Sequence, residues 1–407
     1  MLKALRSVVQ LRRFEWNSTK RQLNKCANIS DLRLMAKRRL PGGVFDYFDG
    51  AAEDERTKKQ NEEGFTRVGF SPKVLVDVSR IDTSTSIMGE TSPLPLVFAP
   101  TGFTRIASSA GELDVARAAS EHKLIYTLST LGTRSIEEVA QVSSGPLWYQ
   151  LYVWKDRGLS RELVARARDA GYKAIMVTVD TAVFGRRERD VRRGFTLPPK
   201  IGLETFIDGI RHPRWTLDFL THDPITFSAV AGRADLDGSS AISLVDYVNE
   251  QFDSSLTWDD LEWIRAESGL PVMIKGVQSV EDAQTAERVG LDAISLSNHG
   301  GRQLDDSPAP IDLLPAVVDA VGDSLEVLID GGVRRGSDVV KAVALGARAV
   351  MIGRPYLYGL GAAGREGVEW VINFFEQGIR RSLALVGEPS IRSLSRDFVT
   401  SDESAHL

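Results

Sequence analysis

The chain has 407 residues, 43% of them hydrophobic and 26% charged, with 35 glycines, 16 prolines and a formal net charge of −5. That composition excludes disordered, collagen-like and mucin-like chains, and the length suits two or three domains or one large α/β barrel with insertions. With Cys26 as its only cysteine, the chain forms no internal disulfide, cysteine-based metal site or CxxC redox motif, and a reducing compartment is expected.

Residues 1–40 carry 11 Lys and Arg against Glu15 and Asp31, a local charge of +9 that leaves −14 on the remainder. We read residues 1–30 as a basic arm. A transit peptide, an anionic-lipid contact and a face docked on the acidic body compete for it, and the lack of a clear cleavage signal disfavours the first. The longest apolar stretches, 93–103 and 347–353, fall short of the ~18–20 residues that a spanning helix needs. A soluble or surface-bound protein is expected.

In chain order, the pattern predicts a helix over Asp31–Arg39, then a break at Pro41-Gly42-Gly43 before Phe45–Phe48. After residue 90, short apolar runs alternate with helical spacing. The runs are Leu96–Ala99, Ile125–Leu128, Leu147–Leu151, Ala174–Val177, Val272–Ile274, Ala293–Leu296, Val327–Ile329 and Ala349–Ile352. Continuous apolar strands separated by helices indicate a parallel sheet. Eight such units in roughly 270 residues predict a (β/α)8 barrel, with an open doubly wound sheet as the alternative. The barrel domain spans 31–400 and is followed by a tail, 401–407. The connection Arg193–Ser255 is far longer than usual, holds His212-Pro213-Arg214-Trp215, and contains a polar tract, Gly232–Ser240, that reads as an exposed mobile loop.

In a barrel of this kind the chemistry collects where strands end. Those ends carry Pro100-Thr101-Gly102, Ser129-Thr130, Gln150 with Tyr152, Thr178-Val179-Asp180, Lys275-Gly276, Ser297 to Arg302, Asp330 to Gly336, and Gly353-Arg354. The last two suit an anion: Gly-rich turns admit backbone N–H groups, the helix after Gly336 adds a positive dipole end, and Arg334 and Arg354 add charge. The competing reading makes Gly331, Gly332 and Gly336 parts of a tight turn only. Of five histidines, only His299 sits at a strand end beside glycines and an Arg. With no second His or Cys nearby, a general base is preferred over a metal ligand, and no metal is expected. Gly359-Leu360-Gly361-Ala362-Ala363-Gly364 matches GxGxxG, but no strand directly precedes it, so it is placed in a connection or helix start.

The stretch Leu296-Ser297-Asn298-His299-Gly300-Gly301-Arg302-Gln303-Leu304-Asp305 resembles the FMN-dependent L-2-hydroxy-acid oxidoreductase family. The likeness runs from about Asp31 to Val399 and includes Phe45 to Ala52, Ala99-Pro100-Thr101, Leu128-Ser129-Thr130, Tyr149 to Tyr152, Thr178-Val179-Asp180, Lys275-Gly276 and Asp330 to Gly336. The His-Gly-Gly-Arg and His-Pro-Arg-Trp segments and the basic extension most resemble its bacterial respiratory L-lactate dehydrogenase branch. The resemblance implies a TIM barrel that binds FMN. It makes His299 the active-site base, Asp180 its partner, and Lys275 an electrostatic stabiliser beside the flavin. It assigns Arg187 and Arg302 to the substrate carboxylate, and Tyr47 and Tyr152 to substrate oxygens. Thr101, Ser129, Gln150 and Thr178 are expected on the flavin ring, and Arg334, Gly353 and Arg354 on the FMN phosphate. Pro100, Gly102, Ser297, Asp330, Gly331 and Gly332 complete that site.

Three positions depart from the family's usual pattern. Ala182 stands where Pro is common, which loosens the turn before Arg187. Leu131 stands where glycolate oxidase has Trp, an aliphatic wall that suits a methyl side chain, with Phe184 as another wall. Gly102 replaces a common Ala and leaves room for a larger substrate. The expected activity is oxidation of L-lactate to pyruvate with electrons passed to a quinone. The alternative is an oxidase that uses O2 on glycolate, mandelate or longer hydroxy acids. Remote alternatives are another phosphate-binding barrel enzyme and a non-catalytic flavoprotein. The expected partners are a small 2-hydroxy-acid anion, an acceptor (quinone or O2), and an anionic membrane surface met by the arm. A cytoplasmic homotetramer, peripheral on the inner face of the membrane, is expected, with no nucleic-acid partner.

Overall fold

A computed structural model describes residues 15–193, 203–229 and 250–401. Residues 1–14 of the arm, the Gly232–Ser240 tract and the tail beyond 401 lie outside the described residues. Among the described residues four helices lead in: α1 (Ser18–Leu23), α2 (Ile29–Arg39), α3 (Gly42–Asp49) and α4 (Arg56–Arg67). The Asn17 and Asn28 side chains cap the first two, accepting from the N–H groups of Thr19 and Lys20, and of Asp31. On α2, Ile29, Leu32, Met35 and Ala36 recur at helical spacing and are buried. The near half of the basic arm therefore lies against the body: Leu23 is buried, and Lys20 meets Glu366 at 3.3 Å.

Numbering only the barrel strands, β1 (Leu96–Phe98), β2 (Ile125–Ser129), β3 (Leu147–Leu151), β4 (Ala174–Thr178), β5 (Val272–Val277), β6 (Ala293–Leu296), β7 (Glu326–Ile329) and β8 (Ala349–Ile352) match all eight predicted runs. Each pairs in parallel with the next, and β8 closes on β1 through Val350–Leu96, Met351–Val97 and Ile352–Phe98. That pairing decides for the closed barrel over the open sheet. Alternation within β4 explains the unbroken apolar runs: Ala174 and Met176 fill the barrel, and Ile175 and Val177 pack outward under helices. Trp148, Val97, Ile125, Met273, Leu328 and Met351 complete the interior. Ile87, from a small hairpin of Thr85–Ile87 and Glu90–Ser92, closes it from below.

The outer helices are α5 (Glu112–Glu121), α6 (Ile136–Val142), α7 (Arg157–Asp169), α8 (Glu188–Arg192), α9 (Leu203–Arg211), α10 (Pro213–Thr221), α11 (Asp260–Ser268), α12 (Val280–Arg288), α13 (Pro310–Val321), α14 (Gly336–Ala344), α15 (Arg354–Ala363) and α16 (Arg365–Val386). The long connection after β4 is thus partly helical, because α9 and α10 occupy its centre. The Trp215 indole donates to the Ile106 carbonyl at 2.7 Å, and Asp218 accepts from the Ser109 hydroxyl at 2.7 Å, which pins α10 to the body. Gly359 and Gly361 lie in the body of α15, where a connection or a helix start was expected. A Cβ at Gly359 would sit 2.5 Å from the Gly367 carbonyl, and one at Gly361 would sit 2.7 Å from Leu40, so these glycines serve helix packing.

Candidate active site

A cavity of about 660 Å³ opens at the carboxyl ends of the strands. It gathers side chains or backbone that follow all eight strands, together with Tyr47 and Phe48 of α3. Of the expected residues, Tyr47, Pro100, Thr101, Gly102, Ser129, Leu131, Tyr152, Arg187, Lys275, His299, Arg302, Asp330, Gly331, Gly332, Arg334, Gly353 and Arg354 line it. Asp180, Gln150 and Ser297 stand one layer behind, each bonded to a lining residue. Thr178 lines a smaller neighbouring cavity of about 260 Å³, which shares Tyr152, Thr181 and Phe252 with the first.

His299 follows β6 with φ 57, and Gly300 and Gly301 continue the left-handed turn at 62 and 75. A histidine there is strained, and strain of this kind persists where surrounding bonds over-determine it. Its N–H donates to the Ser297 hydroxyl at 3.1 Å, and its Nδ1 lies 2.9 and 3.1 Å from the two Asp180 oxygens. An ionised carboxylate only accepts, so Nδ1 carries the proton and Nε2 keeps its lone pair. Burial is the largest influence on His299 and lowers its pKa from 6.5; the Asp180 charge opposes that and Lys275 adds to it. Burial alone would raise Asp180, but His299 and Lys275 outweigh it and hold the carboxyl below its usual range. At neutral pH the pair is therefore imidazole plus carboxylate.

Lys275 is buried, and its ammonium donates to Ser297 Oγ at 3.0 Å and lies 3.3 Å from Asp330. Ser297 in turn donates to Asp330 at 2.8 Å. Burial works against the charge on Lys275, but Asp330 and Asp180 outweigh it and raise its pKa. Burial, with the Asp180 charge behind it, raises the Tyr152 phenol, which stays a neutral donor.

Cations crowd the opposite wall. Burial and then Arg187 press Arg302 below its usual range, and burial does the same to Arg354. Guanidinium groups stay charged in proteins, so this crowding marks a wall that an anion relieves. Arg187 Nε is buried with no partner among the described residues. Asp190, one turn along α8, also lines the cavity, and burial raises its carboxyl against the pull of Arg302 and Arg187.

The phosphate end corrects one expectation. At the N-terminus of α14, Asp338 accepts from the N–H groups of Arg334 and Arg335, each at 2.8 Å. A Cβ at Gly336 would lie 2.3 Å from backbone atoms of Gly378 and Ile379, so this glycine lets α14 meet α16. The helix N-terminus on the cavity is that of α15, whose Gly353 N-cap places no side chain over its amides. Gly331 and Gly332 serve the turn as well, with φ 87 and 81; a Cβ on Gly332 would overlap the Asn61 carbonyl at 1.9 Å.

These residues fit a flavin mononucleotide. Gln150 shares the inward face of β3 with Trp148; its Oε1 accepts from Ser129 at 2.9 Å, while its Nε2 is a buried donor without a partner among the described residues. Arg354, Gly353 and Arg334 line one end of the cavity and could hold its phosphate, and the cavity volume is ample for the cofactor and a small acid.

Sequence reasoning missed Phe103, Phe227, Phe252 and Asp190. Asp190 was detectable, lying three residues from Arg187 on one helical face. Phe227 and Phe252 come from the long connection, where no periodic signal marks them. Their rings meet Phe103 at 4.5 Å and Tyr152 at 5.0 Å. The room expected beside Gly102 is filled: a Cβ there would lie 2.9 Å from Leu131 Cβ.

Residues 36–401 match the model of a family described as FMN-dependent dehydrogenase. The chain is 43% identical over 378 residues to an L-lactate oxidase of Nostoc sp., covering 91% of this chain and 97% of that protein. It is 40% identical over 380 residues to glycolate oxidase 1 of Oryza sativa subsp. indica, covering 93% and 97%. The crystal structure of a monotopic membrane protein, (S)-mandelate dehydrogenase, superposes with a TM-score of 0.90 at 40% identity, covering 93% of this chain and 100% of that one.

Proposed function

The chain belongs to the FMN-dependent dehydrogenase family and is an FMN-dependent oxidoreductase of 2-hydroxy acids; from that premise we propose that its substrate is L-lactate, oxidised to pyruvate, and its acceptor a membrane quinone. The observation that carries the substrate is the Leu131 side chain, which fills the space beside Gly102 and gives the cavity a closed aliphatic wall suited to a methyl group.

Arg187 and Arg302 hold the carboxylate, a planar anion suited to two guanidinium forks. Tyr47 and the neutral Tyr152 phenol bond its oxygens and orient the carbinol. FMN, when bound, would supply the two-electron acceptor that the carbinol carbon needs. His299 receives on Nε2 the proton that oxidation releases, and Asp180, 2.9 Å from Nδ1, stabilises the imidazolium. Lys275, fixed by Ser297 and Asp330, supplies positive charge against electron build-up on the cofactor. The pocket phenylalanines exclude water from these groups.

The acceptor reading is supported by the hairpin of α9 and α10. Phe206, Ile210, Leu217 and Leu220 are 60, 63, 63 and 72% exposed there, with Arg211 and Arg214 exposed among them. Asp208 of α9 accepts from the Gly42 N–H at 2.6 Å, so the hairpin sits against the first turn of α3, the helix that carries Tyr47 into the cavity. Apolar side chains beside arginines suit an anionic lipid surface, which moves the proposed membrane contact from the arm to this hairpin. No helix among the described residues is long and apolar enough to cross a membrane. A homotetramer is part of the same proposal and is read by light scattering.

Anaerobic flavin bleaching tests the substrate. L-lactate is expected to bleach the purified holoenzyme faster than glycolate or (S)-mandelate, with D-lactate inert. Reoxidation by a short-chain quinone is expected to outrun reoxidation by O2; the reverse order makes the chain an oxidase.

A further inference from the structure

Three cations and a phenol converge on the last turn of α3. The Asp49 carboxylate is fully buried and accepts from Arg33 Nη2 at 2.7 Å, Arg189 Nη1 at 2.8 Å and the Tyr358 hydroxyl at 2.7 Å. Lys58 Nζ lies 3.5 Å from the same carboxylate and donates to the Asp49 carbonyl at 2.7 Å. Those partners sit on α2, α8, α15 and α4, so one side chain ties four helices to α3. Burial alone would raise the carboxyl's pKa; the surrounding donors and cations outweigh it and hold it far below the usual carboxylate range.

The carbonyls around Asp49 have separate work. The end of a helix leaves carbonyls without intrahelical partners. Here Tyr47 O accepts from Arg302 Nη1 at 2.7 Å and Phe48 O from Arg354 Nε at 3.1 Å. Gly50 O accepts from Arg354 Nη2 at 2.8 Å and Arg302 Nη1 at 3.2 Å. Two half-buried guanidinium groups, one from the loop after β6 and one from the first turn of α15, thus share one support, and the negative end of the α3 dipole faces both. Arg189, two residues past Arg187, ties α8 to that support through Asp49.

We propose that Asp49 is a positioning residue that couples the grip on the substrate carboxylate to the grip on the FMN phosphate. It pins the last turn of α3 to α8 and α15, so the carbonyls of Tyr47, Phe48 and Gly50 set the spacing of Arg302 and Arg354. This rests on the assignment of Arg187 and Arg302 to the substrate carboxylate and Arg354 to the phosphate. Asp49 touches neither ligand itself. A carboxylate that only braced the fold would affect thermal stability without moving the two affinities together.

The test uses holoenzymes carrying Asp49→Asn, Asp49→Glu, Arg189→Gln and Arg302→Lys. FMN dissociation is read by recovery of flavin fluorescence, and KM and kcat with L-lactate. Asp49→Asn is expected to raise the FMN dissociation constant and KM together, each by roughly ten- to a hundredfold, the size of a lost charged hydrogen bond. Its kcat at saturation stays within about threefold, the pattern of lost uniform binding. Asp49→Glu restores part of both. Arg189→Gln, which cuts the ties of α8 to Asp49, Asp46 and Glu55 and leaves the other partners of Asp49 in place, raises KM and leaves flavin retention unchanged. If Asp49→Asn yields no folded holoenzyme, Arg189→Gln decides alone, and an unchanged KM there overturns the proposal. Unchanged affinities in Asp49→Asn, beside a raised KM in Arg302→Lys, also overturn it. An unchanged KM in Arg302→Lys removes the carboxylate assignment and the proposal with it.

Discussion

At the barrel rim, polar side chains hold one another in place: His299 on Asp180, Lys275 on Ser297 and Asp330, Arg302 and Arg354 on the carbonyls of α3. On the hairpin of α9 and α10, by contrast, large apolar side chains face outward, and among the described residues Trp215, Asp208 and Asp218 anchor the segment. Both arrangements cost free energy in isolation, since buried charge and exposed hydrocarbon are each unfavourable. Each makes sense opposite a ligand: an anionic cofactor with an anionic substrate in the first, a lipid surface in the second. The two regions should therefore fail independently.

The largest expected effect lies at the rim. His299→Gln should lower kcat by roughly 10²–10⁴-fold, the range of general base catalysis, while flavin and vesicle binding persist. Lost flavin in that variant would show that His299 serves binding. Asp180→Asn should lower kcat less and also shift the pH profile. His299 works as the neutral imidazole, so kcat/KM should fall as pH drops through its lowered pKa, below 6.5. The Asp180 charge raises that pKa, so its removal should move the acid limb to still lower pH; a shift upward contradicts the assignment.

On the hairpin, Phe206→Ser with Leu220→Ser should reduce partition onto anionic vesicles by at least roughly a hundredfold, the low end for two apolar side chains at about 1.5–3 kcal/mol each when fully buried. The kcat with a soluble acceptor should not change, and unchanged partition would return the membrane contact to the basic arm. The smallest effect is expected at the aliphatic wall of the cavity. Leu131→Ala should shift preference from lactate toward longer side chains by roughly tenfold, the low end of what a hydrophobic pocket discriminates, read as the ratio of kcat/KM values.

The comparison also marks what a sequence can disclose. All eight strands were legible because a parallel strand buried on both faces is apolar at consecutive positions, as Ala174 to Val177 are. The rim residues were legible because they follow those strands. Gly336 was misread because a glycine that admits a phosphate and one that admits a neighbouring helix look alike; only the closeness of Gly378 separates them. Phe227, Phe252 and the exposed face of α9 lay in a connection with no strand to fix their position. Asp49 was quoted within a family motif, yet its four partners come from helices distributed from Arg33 to Tyr358, and no local pattern brings them together.

We propose that His299, held by Asp180, takes the proton from an L-2-hydroxy acid bound beside FMN. The decisive experiment is stopped-flow anaerobic bleaching by L-lactate, followed from about pH 5 to 8 in the wild type and in His299→Gln. The wild-type rate should fall through an acid limb below 6.5, and the variant should keep its flavin yet bleach orders of magnitude more slowly with no such limb. Equal rates in the two proteins, or the same acid limb in both, would contradict it.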